Sequence, residues 1–391
     1  MLMYHRAIVQ LSTRMSSPPP ALTPAFSLYL DLVRVLSAAA VVAAHFAYTG
    51  AVAPGAWGAA GEMGREAVIV FFVLSGFVIA ASTAQRRPDG RSYALSRLAR
   101  LYSVALPVLL LAFAAGAVFR ILDVPIPTAG YTLDKPQLYI PFHLLFLGQS
   151  WALTEAPPFM IPYWSLCYEA WYYLLFGLAC YLRGKRRVLL IAAALALMGY
   201  KMWLLLPVWL AGAWLYQAGG RPRFPPALAR LGWAASLLAF GLYVGLGLEA
   251  PLRAAGSAAW PFAALPLGSA DRFLADYLVC AIVLANFACA RDARFGSLLR
   301  LDRPIRLLAS HTFTLYLSHM LVIRCWLAFV PHRRDSGADL FALLLAILAA
   351  TILLGGVTER RLPAWRALFA RLPGLRSRSQ AAVPGRETLG A

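Results

Sequence analysis

The sequence predicts an all-α fold, a polytopic membrane helix bundle of about ten transmembrane helices. Three observations carry that expectation. Hydrophobic residues make up 61% of the 391 residues and charged residues only 14%, and mean hydropathy is +0.66, too apolar for a soluble domain. Apolar runs near the roughly 20 residues that a helix needs to cross a bilayer recur along the chain. The formal net charge of +19 is gathered into short arginine clusters between those runs, as the positive-inside rule expects. The basicity therefore reads as topology and contact with membrane phospholipid, and not as nucleic-acid binding.

Residues 1–27 contain Arg6 and Arg14, no acid before position 27 and the run Pro18-Pro19-Pro20. They have no compact apolar core before a small-residue cleavage site, so they read as a disordered cytoplasmic tail and not a secretory signal. The expected spans are Leu28–Thr49, Glu66–Ala84, Leu101–Phe119 and Tyr163–Leu182, then two short spans within Val188–Tyr216 hinged near Lys201, then Trp233–Glu249, Asp271–Ala290, Leu307–Val330 and Asp339–Thr358. Every even-numbered exit is basic: Arg86, Arg87 and Arg91 after the second, Arg183, Lys185, Arg186 and Arg187 after the fourth, Arg221, Arg223 and Arg230 after the sixth, and Arg291, Arg294 and Arg300 after the eighth. This places those loops and both termini in the cytoplasm. The alternation holds only if residues 120–162 do not span, so that segment reads as an extracytoplasmic cap or re-entrant segment, with His143 and Glu155 as solvated loop residues. Residues 359–391 read as a basic cytoplasmic tail, in part an interfacial helix with Trp365, Leu368 and Phe369 towards lipid. The five cysteines all lie in apolar runs and show no metal-ligand spacing or disulfide framework.

Ionisable residues inside spans are costly and mark functional sites. Arg34 and His45 lie eleven residues apart in the first span, about three turns, so they share a helix face some ~16 Å apart along the axis. A guanidinium at one level and an imidazole deeper on the same wall suit a long anionic ligand whose reactive end reaches the imidazole. In the fourth span Glu169 falls at the same depth as His45, within boundary error. It is placed to accept a hydrogen bond from one ring nitrogen and raise the basicity of the other. Ser75, beside Gly76, can donate to a ligand or simply permit close helix packing. Arg97 and Arg100 can join Arg34 on phosphate oxygens or serve as topogenic charges. His319 sits near the middle of the ninth span and needs a partner, whereas Arg324 can snorkel.

These motifs together resemble the acyltransferase-3 family, integral-membrane O-acyltransferases of the bacterial envelope. Its Arg-ten-His signature appears as Arg34 to His45, and its Phe-Phe-x-x-Ser-Gly-Phe-x-Ile element as Phe71–Ile79. Its Arg-x-x-Arg-hydrophobic-Tyr element appears as Arg97–Tyr102, its Trp-Ser-Leu-x-x-Glu element as Trp164–Glu169 and its closing Tyr-Leu-x-His as Tyr316–His319. Ser103, Thr312-Phe313 and Ser318 depart from common family residues. The resemblance implies a transmembrane acyltransferase domain over residues 28–358 in the cytoplasmic (inner) membrane. It implies transfer of an acyl group, acetyl foremost, from cytoplasmic acyl-CoA to a hydroxyl of an envelope or exported carbohydrate or similar acceptor, with no metal. His45 and Glu169 would be catalytic, Arg34, Arg97, Arg100 and Ser75 would hold the donor, and His319 is a further candidate. His45 would act as general base or carry the acyl group itself. The need for an extracytoplasmic partner enzyme stays open. The rival reading is a secondary transporter with a mid-membrane ionisable site, which predicts an internal repeat that the sequence does not display.

Overall fold

The computed structural model describes residues 22–55, 57, 61, 63–219, 224–262 and 264–372, and in these the chain is helical with no strand. The parts of the two expected tails before residue 22 and after residue 372 lie outside the described residues. Four long helices form the part of the bundle nearest the site. Helix α1 spans Pro24–Thr49, α2 Gly64–Arg86, α3 Gly90–Ile121 and α5 Tyr163–Tyr181, with the short α4, Pro136–Leu144, between the last two. Local chemistry sets several of the ends. Thr23 caps α1 by accepting from Phe26 N at 3.2 Å, Pro24 stands in the first turn, and Gly50 closes the helix at φ 72°. Helix α1 thus begins inside the segment expected to be tail. Asp89 caps α3 by accepting from Ser92 N at 2.9 Å.

Helices α6, Gly184–Met198, and α7, Tyr200–Gln217, bend by 118° at the break between them. The hinge is Gly199, at φ 83°, where a Cβ would stand 2.5 Å from the backbone nitrogen of Trp151. Neighbouring Lys201 is fully buried and donates to the carbonyl of Leu153. The remaining helices are α8 Pro226–Gly245, α9 Glu249–Ala259, α10 Phe273–Asp292, α11 Asp302–Ala309, α12 Thr312–Phe329, α13 Gly337–Val357 and α14 Leu362–Phe369.

Among the described residues, seven helices are long and apolar enough to cross a membrane, or eight if the bent pair counts as one span. The expected ten also counted α5 and both arms of the bent pair. Helix α5 has the length but carries five tyrosines and Glu169, and it is not among the seven. Residues 122–162 hold only α4 and a 3₁₀ turn at Gly130–Asp134, so no long helix interrupts the expected cap. His143 is not the solvated residue expected. It is fully buried among the rings of Phe113, Tyr139, Phe142 and Tyr163, and burial pushes its imidazole down to about 4. Glu155 is half-buried and accepts from the Tyr131 hydroxyl.

Helices α2 and α7 approach most closely where glycine faces glycine. A Cβ on Gly76 would lie 1.9 Å from the Trp209 carbonyl oxygen, and one on Gly212 would lie 1.9 Å from that of Val73. Neither backbone can yield without moving a helix, so the small residue is obligatory there. Gly76→Ala should therefore lower the thermal midpoint in detergent, since such overpacking costs ~1–3 kcal/mol or more. Gly241→Ala is the control: a Cβ there meets nothing within 4 Å, and the exchange should hold or slightly raise the midpoint. Equal midpoints for the two variants would contradict the contact.

Candidate active site

A cleft of about 760 Å³ opens between α1, α2, α3, α5, α12 and the C-terminal segment. Its wall carries seven arginines, among them Arg34 from α1, Arg97 and Arg100 from α3 and Arg306 from α11, against three carboxylates, Asp31, Glu169 and Glu359. Each carboxylate has a defined partner. Asp31 bridges Arg34 at 3.0 Å and Arg306 at 3.4 Å. Glu359, buried to 7% exposure, takes Arg100 at 2.6 Å and the backbone N–H of Thr314 at 3.2 Å. Arg97 has no carboxylate partner among the described residues; its guanidinium lies over the rings of Tyr93 and Tyr173, 5.7 and 5.8 Å from their centroids. All four expected donor-binding residues, Arg34, Arg97, Arg100 and Ser75, thus line one cleft.

Glu169 belongs to that cleft and not to His45. Its Oε1 accepts from Ser75 Oγ at 2.7 Å and from the Tyr173 hydroxyl. The expected His45–Glu169 hydrogen bond does not form. Helix α5 packs on α2, α3, α6 and α7, while α1 packs on α2, α10, α11 and α12. Equal depth therefore does not make the two residues neighbours. Ser75 is also committed: its hydroxyl proton goes to Glu169 and its oxygen accepts from Trp209 Nε1 at 3.2 Å. It holds Glu169 in place and has no proton to spare for a ligand oxygen.

The partner of His45 is His319, with its Nε2 3.0 Å from His45 Nδ1. Two histidines can share a hydrogen bond only if one donates and the other accepts. The second nitrogen of His319, Nδ1, lies 2.9 Å from the carbonyl oxygen of Leu315. A carbonyl only accepts, so a neutral His319 carries its proton on Nδ1 and offers a lone pair at Nε2. His45 then donates from Nδ1, and its own Nε2 keeps a free lone pair. His319 is fully buried, whereas His45 is half-buried, with its ring edge-on to the largely exposed Tyr48 at 6.2 Å.

The cleft and the histidine pair meet at Tyr316. This residue lines the cleft, shares a 2.6 Å hydrogen bond with Ser165 and lies one helical turn before His319, with its ring 6.3 Å from that imidazole. Sequence reasoning missed Asp31, Glu359, Tyr173 and the Tyr316–Ser165 bond. Asp31 was visible as an acid three residues before Arg34, a spacing that places both on one helix face. Glu359 was visible only as a lone acid entering an arginine-rich tail.

A bundle of membrane-length apolar helices, with a basic cleft whose wall includes Tyr316 one turn from a histidine pair, defines an integral-membrane protein with an internal cleft. The chain belongs to the acyltransferase-3 family: the model of that family, described as an acyltransferase domain, matches residues 27–360. The protein is therefore a membrane acyltransferase. No curated protein and no solved structure is a match.

Proposed function

We propose that the protein moves an acyl group, acetyl foremost, from cytoplasmic acyl-CoA to a hydroxyl of an envelope or exported carbohydrate or similar acceptor. The observation that carries this reading is the cleft, with its excess of arginines over carboxylates and with Tyr316, one turn before His319, in its wall. Guanidinium groups suit phosphate oxygens through paired, charge-assisted hydrogen bonds. The ~16 Å rise from Arg34 to His45 is of the order of an extended phosphopantetheine arm. A donor so bound points its thioester towards Tyr316 and the histidines. The acceptor hydroxyl reaches His45 from the exposed Tyr48 side.

His45 Nε2 takes the proton of the acceptor hydroxyl as its oxygen forms a bond to the thioester carbonyl carbon. The carbon–sulfur bond breaks, and the coenzyme A thiolate leaves with the proton that His45 returns. The Leu315 carbonyl and His319 hold the tautomer that keeps the lone pair on His45 Nε2. The transporter reading has no comparable support in a chain whose family is acyltransferase. Purified protein given radiolabelled acetyl-CoA and a hydroxyl acceptor should release coenzyme A and label the acceptor. Folded protein that binds no acyl-CoA and releases no coenzyme A would sink the reading.

The same reading needs the donor cleft on the cytoplasmic face. The arginine clusters support that orientation, with residues 120–162 outside the cell membrane. A cysteine placed at Thr128 should react with an impermeant thiol reagent added from outside, and one placed at Asp89 should not. The reverse labelling pattern would invert the topology and put the cleft on the wrong side for a cytoplasmic donor.

A further inference from the structure

The family match ends at Arg360, yet the cleft does not. Leu362 and Arg366 of α14 stand in its wall beside Arg360. Helix α14 was expected to lie at the interface with Phe369 towards lipid. Instead it packs along α3, with the Phe369 ring 5.7 Å from that of Tyr102, while Leu368 stays exposed. The turn that launches it is tied down at Glu359 through Arg100 and Thr314. The segment is thus a strap held across the cleft, and it adds two guanidinium groups to it.

The charge balance says what those groups await. Asp31 and Glu359 offset Arg34, Arg306 and Arg100. Neither Arg360 nor Arg366 has an ion-pair partner among the described residues, and both are exposed at the rim of the cleft. Unpaired like charges gathered at one mouth repel one another and attract a polyanion. We propose that Arg360 and Arg366 bind the phosphate at the end of the donor farthest from the acyl group, the 3′-phosphate of the coenzyme A moiety. This rests on the reading of the cleft as the donor site. It adds a phosphate subsite built by the C-terminal strap, with Arg366 beyond the family's matched domain.

The test is direct binding of coenzyme A and of dephospho-coenzyme A, which lacks that phosphate, to the full chain in detergent by calorimetry. Arg366→Ala should weaken coenzyme A about tenfold, the effect of one lost charge-assisted contact, and leave dephospho-coenzyme A unchanged. Arg366→Lys should recover part of the loss, because a point charge survives without the planar fork. An unchanged affinity for both ligands, or an equal loss for both, would overturn the assignment. If Arg366→Ala instead lowers only the protein's preference for vesicles containing anionic lipid, the arginine serves lipid headgroups and the proposal also fails. Wild-type protein that binds neither ligand would overturn the donor reading itself, an outcome distinct from a fault in the strap.

Discussion

His45→Ala abolishes acyl transfer while the protein stays folded and inserted. The side chain is half-buried near the end of α1 and hydrogen-bonds His319 and the backbone of Val41 in its own helix, so its removal leaves the bundle's apolar core in place. A positioned general base contributes ~10²–10⁴-fold to rate, and a loss beyond that range would mark His45 as the carrier of the acyl group. Turnover of labelled donor, with a thermal midpoint measured on the same preparation, checks both halves of the expectation. Wild-type turnover in the variant would remove His45 from the mechanism. The partner gives a finer reading. His319→Leu removes the acceptor for His45 Nδ1–H, and a general base left in the wrong tautomer by loss of its orienting partner can cost up to ~10⁴-fold. His319→Gln keeps an acceptor oxygen and should retain much of the rate, with donor affinity untouched in both. Equal activity of the two variants would show that the shared hydrogen bond does not set the tautomer.

Arg34→Ala raises the apparent donor constant by about one to two orders of magnitude and slows saturated turnover far less. Charge-assisted hydrogen bonds of this kind contribute roughly 1.5–3 kcal/mol, which converts to that range of affinity. The structure also says why the variant should fold. Asp31, which pairs with Arg34 at 3.0 Å, keeps Arg306 at 3.4 Å, so no carboxylate is stranded. Initial rates against donor concentration separate the two constants. If turnover falls and donor affinity holds, Arg34 acts at the reaction centre or braces α1, and a donor laid along the Arg34–His45 face is wrong.

The class of this protein and the axial order of its site were legible in the sequence. Hydropathy marks where helices cross, arginine clusters set the expected sidedness, and at ~1.5 Å of rise per residue a count along one helix gives depth. That was enough to place Arg34 below His45, to select Arg97, Arg100 and Ser75 for the same region, and to carry the family's motifs in order. Tertiary structure alone decided the partners. Depth is a property of one helix, but azimuth and neighbourhood depend on how helices distant in sequence pack. Glu169 and His45 could share a level, yet α5 faces α2 and α3 while α1 faces α12, so His45 pairs with a residue 274 positions away and Glu169 with Ser75. The close approach at Gly76 and Gly212 helps set that arrangement, since backbones that touch leave no freedom to rotate. The strap of α14 follows the same logic. Its arginines read as a basic tail until a buried carboxylate at Glu359 and an aromatic contact at Phe369 fold them over the cleft.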